Sequence, residues 1–206
     1  MTEISIKYHG HSCFSVSDGE HTAVFDPYAP GYVPGLKDIS LTADAVFCSH
    51  GHGDHSYAEA VTLRGEDPFL CEKIVCPHDD AGGKKRGMNT IHILHIGGMR
   101  VAHMGDIGCC LPEGNMAKLR GVDAILIPVG GFYTIDAAEA DAIARLSGAR
   151  VVIPMHYRTE KAGFDTIATV DDFLKLRENV KFFGHSFTLT PETESLTAVL
   201  TQEKAE

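Results

Sequence analysis

Several features that mark other classes of protein are scarce or missing in this sequence of 206 residues. No apolar run approaches the roughly 20 residues of a membrane-spanning helix. The segment 1–8 alternates polar and apolar side chains and lacks the basic leader and apolar core of a signal peptide. The six cysteines form no C-x-x-C pair, and only Cys109 and Cys110 are adjacent. We therefore expect a cytoplasmic protein with reduced cysteines and no membrane partner.

Basic residues are also in short supply. The chain has 18 Lys and Arg against 28 Asp and Glu, which gives a net charge of −10. Because proteins bind nucleic acids mainly by neutralising phosphates with Lys and Arg, this balance disfavours a large phosphate-binding surface. We expect a small-molecule substrate rather than a nucleic acid. The sequence leaves the oligomeric state open, including a homo-oligomer.

The remaining composition is that of a globular protein. Hydrophobic residues make up 44% of the chain and charged residues 22%, both ordinary values. A chain of this length can bury about 70% of the surface that its unfolded form exposes. Residues 1–206 therefore predict a single domain with one sizeable core.

The most informative segment runs from Ser49 to Ser56 and reads S-H-G-H-G-D-H-S. It places three imidazoles and a carboxylate within six residues, directly after the apolar run 45–48. A strand that ends there delivers these side chains to one edge of a sheet. Gly51 and Gly53 let the turn fold tightly enough for several side chains to converge on one point. The spacing is typical of a metal site.

The hydrophobic patterns predict an α/β (α+β) chain in which strands come first and then alternate with helices. The Pro-rich and Gly-rich segment 27–40 predicts an irregular loop, and Ser56 is expected to cap a short helix. The tail from residue 188 is expected to add short strands and to fray at 202–206. The predicted strands are 4–8, 13–17, 23–25, 73–76, 90–96, 99–103, 124–128 and 151–155, and the predicted helices are 56–63, 112–119, 135–146 and 170–177.

Polar side chains also follow three later strands. His78 follows the run 73–76, Asp106 follows 99–103, and His156 follows 151–155. Each strand thus ends near one side chain that can bind a metal. Because strand ends meet at one edge of a sheet, we expect these side chains to lie beside the histidine-rich segment.

On these motifs the chain resembles the metallo-β-lactamase-fold hydrolases, most closely the small branch that includes ascorbate-6-phosphate lactonase-like proteins. The matching pieces are G-H-S-C-F at 10–14, F-D-P at 25–27, the segment 49–55, G-D at 105–106 and P-M-H-Y at 154–157. The resemblance implies a four-layer αβ/βα sandwich with a dinuclear metal site at one edge.

The resemblance also implies a ligand set. His50, His52 and His78 would hold the first metal. Asp54, His55 and His156 would hold the second, with Asp106 bridging the two. The chain departs from the family's commonest pattern after His78, where Asp79 and Asp80 replace a small-residue turn.

The donor types fit hydrolytic chemistry. Imidazole and carboxylate suit zinc, manganese or iron, and zinc needs no redox partner. Two divalent cations outweigh Asp54, Asp106 and a bridging hydroxide, so the site attracts anions. The hydroxide is a nucleophile at neutral pH because the cations lower the pKa of water to about 7. Asp54 and Asp106 are the predicted catalytic residues of a zinc-dependent hydrolase of a small anionic ester, lactone or phosphodiester.

Three further side chains have a functional and a structural interpretation. His11 follows flexible Gly10 and could reach the site. Asp26 either forms a turn or orients a ligating imidazole. His103 lies on the strand face opposite Met104, so its side chain need not point where Asp106 points. It is either a buried structural histidine, or a metal ligand or the hydrogen-bond partner of one.

Substrate contacts are less specified. The loop G-G-K-K-R-G at 82–87 ends near Arg86, and Arg158 follows His156 by two residues; these cations either hold an anionic group or form a solvated surface. Asn89 and Tyr133, expected in loops, could donate hydrogen bonds to an oxyanion.

Alternative functions remain open at this point. A nuclease of the same fold is disfavoured by the net charge. A non-catalytic metal-binding or scaffold protein is disfavoured because every expected ligand position is filled. An oxygen-activating iron enzyme is a minor alternative.

Overall fold

The computed structural model describes residues 3–201, which form fourteen strands and three α-helices. The frayed end expected at 202–206 lies outside the described residues. The strands are β1 Ile4–Gly10, β2 Cys13–Ser17, β3 Thr22–Phe25, β4 Leu41–Ala43, β5 Ala45–Phe47, β6 Val61–Leu63, β7 Leu70–Pro77, β8 Met88–Ile96, β9 Met99–His103, β10 Ala124–Pro128, β11 Val151–Met155, β12 Val180–Phe182, β13 Ser186–Leu189 and β14 Leu196–Val199. The helices are α1 Glu113–Leu119, α2 Ala137–Ser147 and α3 Asp171–Leu174.

The first sheet has five strands in the order β13-β1-β2-β3-β5. Its residues form strands because apolar side chains alternate with polar ones, as in β1, where Ile4, Ile6 and Tyr8 are buried. A hairpin joins β2 to β3, and the Asp18 carboxylate accepts hydrogen bonds from the backbone of Glu20 and His21 in its turn. The sequence predicted β1, β2 and β3 and the apolar run that forms β5, whereas β13 begins two residues before the tail in which short strands were expected.

The second sheet has seven strands in the order β12-β14-β11-β10-β9-β8-β7. Every residue of β10 and of β11 is buried, which explains why these parallel strands are apolar on both faces. Strands β9, β10 and β11 run parallel, so their carboxyl ends point the same way. The segments that follow β9 and β11 therefore share one edge of the molecule.

Three apolar clusters define the layers. The largest packs the two sheets against each other, for example Phe14 and Phe25 against Leu126 and Ile153. A second packs the three helices on the outer face of the second sheet. On the outer face of the first sheet, Val33 of the irregular loop and two short paired strands, β4 and β6, provide the cover. The expected sandwich is confirmed, with this outermost layer built mainly from loop and strand.

One predicted helix is wrong. The segment 56–63 contains only a 3₁₀ turn, Ala58–Ala60, before it becomes β6. Ser56 does not cap a helix, because its hydroxyl donates a hydrogen bond to the carbonyl of His52. The residues from Val61 to Leu63 instead pair in parallel with β4, an interaction between distant segments that overrides the local capping signal.

None of the helices in residues 3–201 combines the length and the hydrophobicity that crossing a membrane requires.

Helix α2 begins with a capping box. The Asp136 carboxylate accepts hydrogen bonds from the backbone of Ala138 and Glu139, and the Glu139 side chain accepts one from the backbone of Asp136. Gly148 ends the helix in a left-handed conformation at φ 65°.

We expect Asp136→Ala to lower the free energy of unfolding by about 1 kcal/mol, because two backbone N–H groups lose their acceptor. The thermal midpoint should fall by about 2–4 °C. Urea and thermal unfolding followed by circular dichroism will measure both. Asp38→Ala is the control, since Asp38 is exposed in a loop. Equal midpoints for the two variants would contradict a stabilising role for the cap.

Candidate metal centre

The predicted ligand residues meet at one edge of the two sheets. The segment 49–56 follows β5 of the first sheet, while His78, Asp106 and His156 follow β7, β9 and β11 of the second. His11 lies in the turn between β1 and β2. The two sheets therefore contribute to the same site.

The first cluster contains His50, His52 and His78. Each residue offers one ligand atom, and these atoms lie within 4.8 Å of one another. His50 Nε2 lies 3.0 Å from His52 Nδ1, and the rings of His50 and His78 are 4.5 Å apart. Three imidazoles at this spacing could hold a metal ion.

The second cluster contains Asp54, His55 and His156 together with His11. His11 Nε2 lies 3.2 Å from Asp54 Oδ2, and His55 Nε2 lies 3.5 Å from the same oxygen. The sequence indicated only that His11 could reach the site, and the structure places its imidazole among the ligand atoms of the second cluster. Its imidazole packs 4.1 Å from that of His156.

Asp106 lies between the two clusters. Its Oδ2 atom is 3.2 Å from Nε2 of both His55 and His156. The same oxygen is 3.5 Å from His78 Nε2 and 3.9 Å from His50 Nε2. Nitrogen atoms from both clusters therefore converge on one carboxylate oxygen.

The protonation states of His50, His11 and Asp106 suit metal ligation. Burial lowers the pKa of His50 to about 3, and burial together with His156 lowers the pKa of His11 to about 4. Burial alone would raise the pKa of Asp106, but the facing imidazoles, His156 first, hold it well below its usual range. At neutral pH these groups are neutral imidazoles and an ionised carboxylate, the forms that bind metal ions.

Several buried polar atoms here have no hydrogen-bond partner. They include His55 Nε2, Asp106 Oδ1 and both ring nitrogens of His156. An unsatisfied buried polar atom normally costs about 1–3 kcal/mol. A divalent cation would satisfy imidazole nitrogens and carboxylate oxygens in this arrangement, so the residues present fit the metal site that the motif predicts.

Asp26 orients imidazoles of both clusters. Its Oδ2 atom accepts hydrogen bonds from His55 Nδ1 at 2.7 Å and from the Ser49 hydroxyl at 2.6 Å. The same hydroxyl lies 2.9 Å from His50 Nδ1, which can donate to it. With their Nδ1 protons held in this way, His50 and His55 direct Nε2 into the site, where a bound cation would take its lone pair.

The Asp26 carboxylate is fully buried. Burial raises its pKa, but the neighbouring imidazoles and the hydrogen bonds it accepts lower the pKa to about 2. The pKa of His55 is raised well above its usual value, because Asp106 and Asp26 outweigh the opposing effect of burial.

His103 supports the site from beneath. Its Nε2 donates to the Ser12 carbonyl at 2.8 Å, and its Nδ1 accepts from the backbone of Gly105 at 3.2 Å. The ring stacks on Phe25 with a centroid distance of 5.1 Å. His103 belongs to none of the candidate metal clusters in residues 3–201, and its two hydrogen bonds give it a structural role.

The expectation for Asn89 is wrong. Asn89 lies inside β8 rather than in a loop and is fully buried. Its amide nitrogen donates to the Met104 carbonyl at 2.9 Å and to Cys76 Sγ at 3.4 Å, so it is not free for an oxyanion. Its Oδ1 atom accepts from the backbone of Asp106 at 2.9 Å. Asn89 therefore positions the turn that carries Asp106.

Asp79 organises the basic loop. Its carboxylate accepts four backbone hydrogen bonds at 2.8–2.9 Å, from Ala81, Gly83, Lys85 and Arg86. These bonds outweigh the effect of burial and lower the pKa of Asp79 to about 2. The departure from the family pattern after His78 thus has a structural explanation. An Asp before a Gly-rich loop is a local sequence signal for such a turn.

The three basic side chains of the loop have different surroundings. Lys84 is exposed, and Lys85 pairs with Asp80 at 2.6 Å. The Arg86 guanidinium lies 5.4 Å from the centre of the Tyr133 ring.

Tyr133 is half-buried, and its hydroxyl accepts a hydrogen bond from Thr166 at 3.3 Å. Its ring is 6.0 Å from that of Phe164, which is 5.5 Å from the His11 ring. No sequence motif indicates Phe164, because only the packing of its loop places the ring between Tyr133 and His11. Arg158 is exposed, and its backbone N–H bonds to Ala168.

Three site residues have left-handed backbones. His11, Asp26 and His156 have φ angles of 55°, 44° and 51°. Each is the first residue after a strand, so the turn redirects its side chain. Residues other than glycine pay about 1–3 kcal/mol for such a conformation, and these positions cluster at functional sites.

Comparison with known proteins shows which family this chain belongs to. The model of the β-lactamase superfamily domain matches residues 5–156. A UPF0173 metal-dependent hydrolase from Alkaliphilus metalliredigens is 28% identical to this chain, and the match covers 76% of this chain and 86% of that protein.

Solved structures share the architecture. A Thermotoga maritima protein described as a Zn-dependent hydrolase of the metallo-β-lactamase superfamily superposes with a TM-score of 0.78 and 30% identity, covering 97% of this chain and 100% of that one. Igni18, a metallo hydrolase from Ignicoccus hospitalis, shares the fold with a TM-score of 0.66 and 21% identity, covering 92% and 99%. The narrower resemblance to ascorbate-6-phosphate lactonase-like proteins stays a prediction. The chain belongs to the β-lactamase superfamily domain family and has the metallo-β-lactamase fold.

Proposed function

We propose that this protein is a metal-dependent hydrolase that binds two divalent cations and acts on a small anionic ester, lactone or phosphodiester. Zinc is the favoured metal, with manganese and iron as alternatives. The position of Asp106 carries the proposal, because imidazole nitrogens of both clusters lie 3.2–3.9 Å from its Oδ2 atom. The relatives named metal-dependent hydrolases support the same reaction class.

Each cluster supplies the ligands of one ion in this proposal. The first would use His50, His52 and His78, and the second would use Asp54, His55 and His156. Bound cations would supply a coordinated water with a pKa near neutrality and a Lewis acid for the scissile group.

The chain's own groups keep this site in order. Ionised Asp106 faces both clusters and fixes their separation. Asp54 is the more exposed of the two carboxylates, with 12% of its side chain accessible against 3% for Asp106. It can therefore accept a hydrogen bond from an incoming water, while His11 holds its Oδ2 atom in place.

Metal content is the first test. We expect two metal equivalents per chain after reconstitution with excess Zn²⁺ or Mn²⁺, because the residues present exceed the four ligands of one tetrahedral ion. His52→Ala and His156→Ala should each bind one equivalent, since each empties a different cluster. Elemental analysis after desalting will measure this. A wild-type value that stays at one would contradict the dinuclear site.

Turnover is the second test. Asp106→Ala should reduce hydrolysis by orders of magnitude because it separates the two clusters, and His52→Ala should do so because it empties one. Circular dichroism should match the wild type, since these ligands lie at the rim of the fold. His21→Ala, which lies outside the clusters, is the control. Full activity in either cluster variant would mean that the reaction does not use these ions.

The third prediction concerns Asp26→Asn. Asparagine tolerates the left-handed backbone of this position, so the change removes charge with little effect on the turn. Metal affinity should fall about 10- to 100-fold, because His55 loses its carboxylate acceptor and the Ser49 hydroxyl beside His50 loses the carboxylate that orients it. Competition with a chromogenic chelator will measure the affinity. Asp38→Asn is the control, and an unchanged affinity for Asp26→Asn would assign the carboxylate a purely structural role.

A further inference from the structure

A cavity of about 380 Å³ lies beside Asp79 and Asp80, the two residues that follow His78 in the chain. The basic loop forms one wall, and the turn that precedes α2 forms the other. Gly108 packs so tightly against His78 that a Cβ atom on Gly108 would lie 2.4 Å from the His78 carbonyl carbon. The backbone of His78 also donates to the carbonyl of Gly87 at 3.1 Å. One lining residue of the cavity, Gly108, therefore packs against the backbone of a candidate metal ligand.

Arg86 is the charged group that this cavity leaves available. Its Cζ atom lies 5.4 Å from the centre of the Tyr133 ring and 6.0 Å from that of Phe132, within the range of cation–π contacts. In residues 3–201 its guanidinium has no ion-pair or hydrogen-bond partner. The other charged lining groups are engaged: Lys85 with Asp80, Asp79 with backbone N–H groups, and Asp136 and Glu139 in the capping box.

The aromatic wall is held in an unusual conformation. Phe132 is 62% exposed, and its backbone is left-handed at φ 58°, directly after Gly131 at φ 63°. Its ring meets the Tyr133 ring edge to face at 4.8 Å. Burial does not account for a large apolar side chain held there at a conformational cost. A planar ligand stacked on it would account for the residue.

The aromatic wall also reaches the second cluster. The Tyr133 ring is 6.0 Å from Phe164, and Phe164 is 5.5 Å from His11. A substrate with its scissile group at the clusters could therefore extend its other end along these rings into the cavity.

The charge of the cavity limits the ligand. Its lining includes four carboxylates against two cations. A multiply charged phosphate would be repelled by this balance, whereas a single carboxylate could pair with the unpartnered guanidinium of Arg86.

We propose that Arg86, Phe132 and Tyr133 form a specificity subsite for a planar aromatic group that carries one carboxylate, located on the part of the substrate that does not react. The proposal deepens the hydrolase function proposed above and rests on it, because the ligand of the subsite is a substrate only if the protein is a hydrolase. Binding at the subsite itself does not require turnover.

Binding of naphthoate to the metal-loaded protein, measured by calorimetry, tests the subsite. Phe132→Ala and Phe132→Leu should each weaken binding about three- to tenfold, because both remove the planar face. Arg86→Gln should weaken it about ten- to a hundredfold, because a charge-assisted contact is lost. Neutral naphthylmethanol should respond to the Phe132 variants and not to Arg86→Gln.

Matched controls are available on distant surfaces. Phe182→Ala removes another exposed phenylalanine, 69% accessible, on β12. Arg120→Gln removes an exposed arginine that pairs with Glu113. Both variants should bind naphthoate like the wild type.

Three outcomes would overturn the subsite: no binding of naphthoate by the wild type, equal losses in the control variants, or binding that disappears on chelation of the metal and ignores Phe132 and Arg86. The last result would place the carboxylate on the metal centre. Retained, variant-sensitive binding in a protein that hydrolyses no ester, lactone or phosphodiester would support the subsite and refute the hydrolase function. The two proposals can thus fail separately.

Discussion

The buried carboxylate of Asp26 is the constraint on which the geometry of the candidate metal centre depends. It accepts hydrogen bonds from the backbone and hydroxyl of Ser49 and from His55 Nδ1. A buried charge costs several kcal/mol unless hydrogen bonds satisfy it, so the histidine-rich segment must close over this carboxylate in one arrangement. Through Ser49 the same group also reaches His50. One residue at the end of β3 thereby sets the ring orientation of an imidazole in each cluster.

A second constraint joins the two sheets. The turn after β1 accepts two hydrogen bonds from the second sheet: the backbone of His156 donates to the His11 carbonyl at 2.9 Å, and His103 Nε2 donates to the Ser12 carbonyl at 2.8 Å. Because residues 50–55 follow the first sheet while Asp106 and His156 follow the second, these bonds fix the distance between groups that different sheets carry. The apolar core holds the sheets together, and these polar bonds align their edges.

Much of the fold was predictable from the sequence, because alternating burial and Gly-rich turns are local signals. The strands around the site and their shared edge followed from patterns such as the apolar run 151–155 before His156. The segment 56–63 was not predictable in the same way, since its pairing with β4 depends on residues twenty positions earlier.

The candidate metal ligands were likewise predictable from short motifs. Several of the hydrogen-bond and ring contacts around them depend instead on tertiary packing. The sequence suggested that Asn89 lies in a loop and donates to a substrate. Only the packing of the turn after β9 against β8 shows that its amide nitrogen donates to the Met104 carbonyl and its amide oxygen accepts from the Asp106 backbone. The position of His11 depends on a left-handed backbone that its sequence neighbour Gly10 only suggests. The contact between Phe164 and His11 has no sequence signal, because it joins the short turn after β1 to a loop about 150 residues later.

The left-handed backbones of His11, Asp26 and His156 have a consequence for how this protein can change over evolutionary time. Glycine would relieve the backbone at each position, and each replacement would remove a side chain that belongs to the candidate metal centre or hydrogen-bonds to it. Selection for stability alone would therefore erode the site, while selection for activity maintains residues that lower the stability of the fold. Lineages that lose the reaction are free to drift toward glycine at these three turns, and the strands before them can keep their sequence.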